Sequence, residues 1–167
     1  MVGGDHRRHA HPRAQRGDLT GPSPVDRGRP GSKHHAIVDP TGVPLAVSLT
    51  GGNRNDVTQL LPLIDAIGPV TGKRERPRKR PDALYGDRGY DHDKHRRLLR
   101  KRGVRPKIAR RGQPHGSGLG KIRLVVERTF AWLHSFRRLR IRYERSGELH
   151  TAFLKLGAAV ICQRLLP

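Results

Sequence analysis

The sequence predicts an α/β fold with a mixed sheet flanked by helices, and three observations carry that expectation. Residues 34–39 are a strand candidate, and after a Pro-Thr-Gly turn Val43 to Leu49 alternates as a second strand, the pattern of a β-hairpin. Short β-prone runs then alternate with helical stripes of apolar residues, which implies helices layered on a sheet. A chain of 167 residues holds one domain with a modest core and falls short of two.

Taken in order, residues 1–32 are basic, rich in Gly, Pro and His, and almost without apolar periodicity. On their own they read as a disordered arm, with residues 1–18 set apart from the rest. His34 to Asp39 is a strand candidate, Pro40-Thr41-Gly42 is turn chemistry, and Val43 to Leu49 returns as a second strand, broken at Gly51-Gly52-Asn53. Asp56 is a good N-cap, and Gln59 completes a capping-box pattern. Leu60, Leu61, Leu63, Ile64 and Ile67 then form a helical stripe that ends at Gly68-Pro69. Residues 71–81, TGKRERPRKRP, form a basic loop without a core-forming residue. Ala83-Leu84-Tyr85-Gly86 is a short buried strand ending at Asp87. Asp91 can cap a helix that carries Leu98 and Leu99 and stops at Gly103, and Val104 to Ala109 is another short strand. After a basic, glycine-containing loop over residues 110–118, a long helix runs from about Leu119 to Leu139 and a last one from about Glu148 to Leu165. Three antiparallel strands, then helix, strand, helix, strand, helix, is the order of an RNase H-like sheet. The chain matches that order if a first strand lies within residues 1–20.

Charge points to the partner. Lys and Arg number 35 against 14 Asp and Glu, a formal charge of +21, which favours a polyanion and nucleic acid first. Residues 73–111 alone hold 17 Lys/Arg against 5 Asp/Glu, and Arg137, Arg138, Arg140, Arg142 and Arg145 extend the cationic surface. No run approaches the roughly 20 apolar residues of a spanning helix, and the first 18 residues lack the apolar centre of a signal peptide. The single cysteine, Cys162, excludes an internal disulfide, fits a reducing cytoplasm and reads as a small core residue. His6, His9 and His11 lack the cysteines and ordered scaffold of a zinc site and suit a DNA-contacting arm better.

Two segments carry chemistry. In Leu84-Tyr85-Gly86-Asp87-Arg88-Gly89-Tyr90-Asp91, a carboxylate at the end of a buried strand is held rigidly, and the glycines allow close approach. Such a residue can equally be an ordinary cap. In residues 120–134, Ile122, Val125, Thr129, Leu133 and Phe136 cluster on one helical side, and Glu127 lies opposite, in a stripe with Arg123 and His134. An exposed Arg–Glu pair there is ordinary surface decoration. Phe130, Trp132 and Phe136 sit at helical spacings and read as core rather than base-stacking groups. Together, two carboxylates amid a cationic surface suit Mg²⁺ or Mn²⁺ held against phosphate, and paired ions suit an in-line displacement. That chemistry calls for a third acid on the first strand.

TGPSPVDRGRPGSKHHAIVD (20–39), GGNRND (51–56), LYGDRGYD (84–91) and GLGKIRLVVERTFAWLHSFRRLRIRYE (118–144) resemble bacterial insertion-sequence DDE transposases of the insertion-sequence-five and insertion-sequence-four type. The resemblance implies an RNase H-like catalytic domain over residues 19–167 that cleaves insertion-sequence DNA and transfers strands. It makes Asp87 the second catalytic acid and Glu127 the third, both holding two Mg²⁺ or Mn²⁺ ions, and Arg123 the arginine that accompanies the glutamate. His134 occupies the position of a later lysine in this family. The first acid falls near Arg8, with Asp5 the nearest carboxylate. The implied contacts to double-stranded DNA, at element ends and target, are Lys33, His34, Arg88, Lys121, Arg123, Arg128 and His134. A homodimer and a cytoplasmic, nucleoid-associated location follow from the same resemblance. Relatives carry a further N-terminal DNA-binding region, so the chain is expected to be shortened at that end. A DNA-binding remnant without catalysis is the alternative. A basic RNA-binding protein is disfavoured, since no aromatic stacking motif is present.

Overall fold

A computed structural model describes residues 2–5, 17–24, 27–71, 76–113 and 119–165, without the side chains of residues 3–5 and 119–122. Within the stretch expected to be a disordered arm, Val2–Asp5 forms a strand, β1. It pairs antiparallel with a later strand, Val2 opposite Ile37 and Asp5 opposite His34. A run with two glycines and one apolar side chain has little strand propensity of its own, so its partner templates it. The remainder of that arm, residues 6–16, lies outside the described residues.

A two-residue strand, β2 (Gly21–Pro22), pairs with the start of β3 (Pro30–Val38), and β3 turns back into β4 (Pro44–Gly51). The hairpin forms as the Pro-Thr-Gly signal predicts. One oxygen of Asp39 accepts from the backbone N–H groups of Thr41 and Val43, both at 2.8 Å, and Gly42 takes φ +96°, which favours glycine.

The next helix is capped by Asn55, whose side chain accepts from Val57 N; the expected cap, Asp56, is drawn off to Lys33. A 3-10 turn (Asp56–Gln59) leads into α1 (Leu60–Asp65). Then follow β5 (Ala83–Gly86), a 3-10 turn (Arg88–Tyr90), α2 (Asp93–Lys101), and β6 (Arg105–Ile108), which runs parallel to β5. His92, not Asp91, occupies the N-cap position of α2. The long helix expected to reach Leu139 stops earlier. α3 (Leu119–Ser135) gives way at Phe136 to extended backbone and a separate turn of helix, α4 (Arg137–Arg140). The break lets Leu139 settle on the bare backbone of Gly157, where an added Cβ would stand 2.7 Å from Leu139 Cδ1. Gly157 belongs to α5 (Gly147–Leu165), whose bounds agree with the expectation.

β1 sits between β3 and the β5–β6 pair, so the strands run β4, β3, β1, β5, β6 across the molecule. Both faces of this layer are covered. Val2, Ile37, Leu60, Leu63, Ile64, Leu84 and Leu99 form the core under α1 and α2. Ala36, Val38, Val126, Phe130, Leu133 and Leu154 form the core under α3 and α5. Val38 and Ile37 face opposite cores because strand side chains alternate. Phe130 is buried, with Trp132 and Phe136 packed beside it as expected. Cys162 is half-buried, its Sγ 3.4 Å from Pro44 O. Among the described residues no helix is long and apolar enough to cross a membrane.

Leu133 is fully buried where α3 meets the sheet. Leu133→Ala is expected to cost about 2–5 kcal/mol, read from the urea midpoint. A loss below about 1 kcal/mol would show that α3 is not packed there.

Candidate active site

Asp87 stands where β5 ends, exposed, at the mouth of the 3-10 turn it caps; its Oδ1 accepts from Gly89 N at 2.8 Å. The turn is held from beneath and behind. Tyr90 is buried below it, and its hydroxyl has no hydrogen-bond partner among the described residues. Burial, then the charges of Asp56 and Asp87, pushes the Tyr90 hydroxyl far above its ordinary pKa, so it stays protonated. Behind the turn, Asp91 accepts from Arg111 N at 2.8 Å and from Arg96 Nε and Nη2 at 2.9 and 2.6 Å. The Arg111 N–H and the Arg96 guanidinium hold the Asp91 carboxyl below its usual range. Arg96 is buried and also donates to Ile108 O at 2.9 Å, which locks the turn to β6. Arg111 Nε reaches Arg88 O, and the exposed Arg88 reaches Gln113 O. Asp91 is therefore a fastening of the loop, and Asp87 is the carboxylate that the loop presents.

Glu127 is exposed on α3 and pairs with Arg123, one turn earlier, at 2.9 Å. Arg128, also exposed, donates to Thr41 O and lies 5.0 Å over the Trp132 ring. Lys121 lies on α3, its side chain outside the described residues, and for Asp5 the backbone register opposite His34 is what the structure gives. α3 packs on β1 and β3, and β5 neighbours β1. Asp5, Asp87 and Glu127 thus stand on β1 or on elements bordering it. Among the described residues no three His, Cys, Asp or Glu side chains gather into a metal-holding group.

Three residues expected against DNA are inside the fold instead. Lys33 is 3% exposed and its ammonium lies 2.7 Å from Asp56 Oδ1 and 2.8 Å from Arg54 O. His34, 4% exposed, meets His134 Nε2 through Nδ1 at 3.3 Å and His150 Nε2 through Nε2 at 3.0 Å. His134 was expected in the outward stripe with Glu127, yet α5 lies over that end of α3 and buries it. His150 Nδ1 in turn lies 3.1 Å from Glu144 Oε2, and the other oxygen of Glu144 takes Arg138. Glu144, His150 and Arg96 carry no sequence signal for these roles, since their partners are distant in the chain or hidden by a charge-rich helix, and Asp56 reads in sequence as a cap and not as the partner of Lys33. Arg142, expected on the cationic surface, is inside instead: 2% exposed, it donates to the carbonyls of Asp18, Glu144 and Arg145 and ties the start of the folded region to the C-terminal half.

Burial alone would raise the Glu144 pKa, but hydrogen bonds from His150 and Arg138 outweigh it and the carboxyl is lowered. Burial lowers His150 despite the pull of Glu144. The pair is a carboxylate and a neutral imidazole. As pH falls through about 6.5, the unfolded chain protonates this histidine and the folded chain does not, so stability is lost on acidification. His95, also lowered by burial, adds the same sign. The urea midpoint is expected to drop between pH 7 and about 5.5, by at most about 1.4 kcal/mol per pH unit for each such histidine. An unchanged midpoint over that range would mean that these rings are not held neutral.

The family described as transposase DDE domain matches residues 5–162, a span that contains Asp5, Asp87 and Glu127. A Burkholderia cepacia protein assigned as a transposase for insertion sequence element IS402 is 60% identical over 162 residues, which is 97% of this chain and 74% of that protein. No solved structure matches the chain. With the match extending over nearly every element of the fold, the chain belongs to the DDE transposases of bacterial insertion sequences.

Proposed function

We propose that this chain performs metal-dependent cleavage and strand transfer of insertion-sequence DNA, with Asp5, Asp87 and Glu127 as the three acids of an RNase H-like sheet. The observation that carries this reading is their placement on β1, at the end of β5 beside it, and on α3 packed across it. The strand order β4, β3, β1, β5, β6, with three antiparallel strands followed by a parallel pair, supports the fold assignment.

The donors suit a hard divalent cation. Asp87 commits one oxygen to Gly89 N and Glu127 one to Arg123, and among the described residues each keeps a second, exposed oxygen. Asp87 and Glu127, completed by Asp5, would hold Mg²⁺ or Mn²⁺; two such ions, when bound, supply Lewis acidity to both the attacking and the leaving oxygen. The protein's own part is to fix the carboxylates and bind phosphate. The Arg96–Asp91 lock keeps Asp87 forward, while Arg123 pairs with Glu127 across one exposed turn of α3. The exposed Arg88, Arg123 and Arg128, with Lys121, are proposed as the phosphate contacts. Lys33, His34 and His134 act inside the fold. At an element end, water attacks phosphorus and the P–O3′ bond breaks to leave a 3′-hydroxyl. That hydroxyl loses its proton to solvent as it attacks a target phosphate and expels the target's 3′-oxygen. The partner is therefore double-stranded DNA, met in the bacterial cytoplasm, with a homodimer bringing two ends together.

Cleavage and strand transfer in Mn²⁺ are expected to fall at least about a hundredfold in each of Asp5→Asn, Asp87→Asn and Glu127→Gln. DNA affinity at fixed salt should stay within about threefold, because phosphate contacts come from the cations. Retained activity in any of the three would remove that residue from the site. Salt-sensitive DNA binding without any metal-dependent cleavage by the unaltered chain would instead leave a DNA-binding remnant.

A further inference from the structure

We propose that His134, His34 and His150 form one hydrogen-bonded chain, anchored on Glu144, that positions α3 and hence Glu127 against the central sheet. The contacts run in series: Glu144 Oε2 to His150 Nδ1 at 3.1 Å, His150 Nε2 to His34 Nε2 at 3.0 Å, and His34 Nδ1 to His134 Nε2 at 3.3 Å. All four side chains are buried. Neighbouring rings stand 5.2 and 5.5 Å apart, inclined by 24° and 35°. His34 meets each neighbour through a different nitrogen, so the three rings do not converge on one point. This geometry suits a relay of protons and not a set of metal ligands.

The anchor fixes the direction of the chain. A carboxylate only accepts, so His150 donates from Nδ1 and its Nε2 carries a lone pair. That lone pair takes the Nε2–H of His34, whose Nδ1 is then the acceptor for the Nε2–H of His134. The chain crosses four segments in turn: the linker between α4 and α5, α5 itself, β3, and α3. The rest of the core under α3 and α5 is apolar, among it Val126, Phe130, Leu133 and Leu154, whose contacts tolerate sliding and rotation. Hydrogen bonds between fixed rings do not, so together with Thr129 Oγ1, which donates to Gly42 O at 2.8 Å, they set the rotation and axial register of α3. His134 lies two turns after Glu127 on that helix, about 10 Å along its axis, and His34 is the cross-strand partner of Asp5. One polar chain thus ties together the helix and the strand pair on which two of the proposed acids stand.

The catalytic consequence rests on the function proposed above, whereas the proton arrangement does not, and the test separates them. In the full chain labelled with ¹⁵N-histidine, two-bond ¹H–¹⁵N spectra should show His150 protonated at Nδ1 and both His34 and His134 at Nε2. Any other tautomer pattern overturns the chain. Glu144→Leu should free the His150 tautomer, speed amide exchange over residues 127–134 by about tenfold or more, and lower kcat for Mn²⁺-dependent nicking of supercoiled plasmid about tenfold. The KM for DNA should stay within about twofold, and Glu144→Gln, which keeps an acceptor, should restore kcat to within about threefold. Unchanged exchange and kcat in a folded Glu144→Leu protein would show that the chain does not position α3. If Glu144→Leu does not fold, His134→Leu against His134→Gln makes the same comparison at the other end. If the unaltered protein nicks no DNA, the function fails by itself, and exchange across α3 still decides the positioning claim.

Discussion

β3 is the strand on which the rest of the molecule is built. It pairs with β4 along one edge and with β1 along the other, its first residues pair with β2, and from His34 to Val38 every side chain on it is buried. A strand covered on both faces cannot slip by one residue without exchanging its two cores, so its register is strongly specified. That register places Asp5 opposite His34, Lys33 within reach of Asp56, and Ala36 and Val38 under α3 and α5. β1 has almost no side chains of its own to hold it, and it stands in the sheet because β3 offers a hydrogen-bonding edge. Through β1, β3 also sets where the β5–β6 pair and its terminal Asp87 can lie.

In a chain with so few acids, what the fold does with each of them matters. Asp56 neutralises the buried Lys33, Asp91 holds the buried Arg96, and Glu144 faces His150 and Arg138. Each is taken up in fastening one element to another, where removing one partner would leave a buried charge alone. Asp87 and Glu127 are treated differently. They sit exposed on rigid elements, Asp87 against a backbone N–H and Glu127 against an exposed arginine, contacts that are weak in water and easily exchanged. Asp56, Asp91 and Glu144 thus serve structure, whereas Asp87 and Glu127 are open to solvent amid a cationic surface.

The hairpin around Gly42, the strand ending at Asp87 and the bounds of α5 were legible in sequence because each obeys local rules of turn chemistry and periodicity. What was not legible depends on partners far along the chain. Val2–Asp5 has no strand signal without β3 beside it. Asn55 and Asp56 are equally good caps on paper, and only the Lys33 ammonium, 23 positions away, decides which one is diverted. A helical projection put His134 beside Glu127 at the surface, but α5 covers the later turns of α3 and leaves the earlier ones open. Sequence spacing could not bring His34 to His134 and His150, which lie 100 and 116 positions away. The acids of the candidate site were readable as motifs; the internal polar chain that bears on them was not.

The central physical claim is that carboxylates from β1, β5 and α3 share divalent cation in one place. Anomalous scattering from crystals of the full chain grown with Mn²⁺ tests it most directly. The expected result is Mn²⁺ shared by Asp87 and Glu127 with Asp5, as a single ion or a pair about 3.5–4 Å apart. Mn²⁺ bound at Asp87 alone, with Glu127 still on Arg123 and no common ion between them, would contradict it.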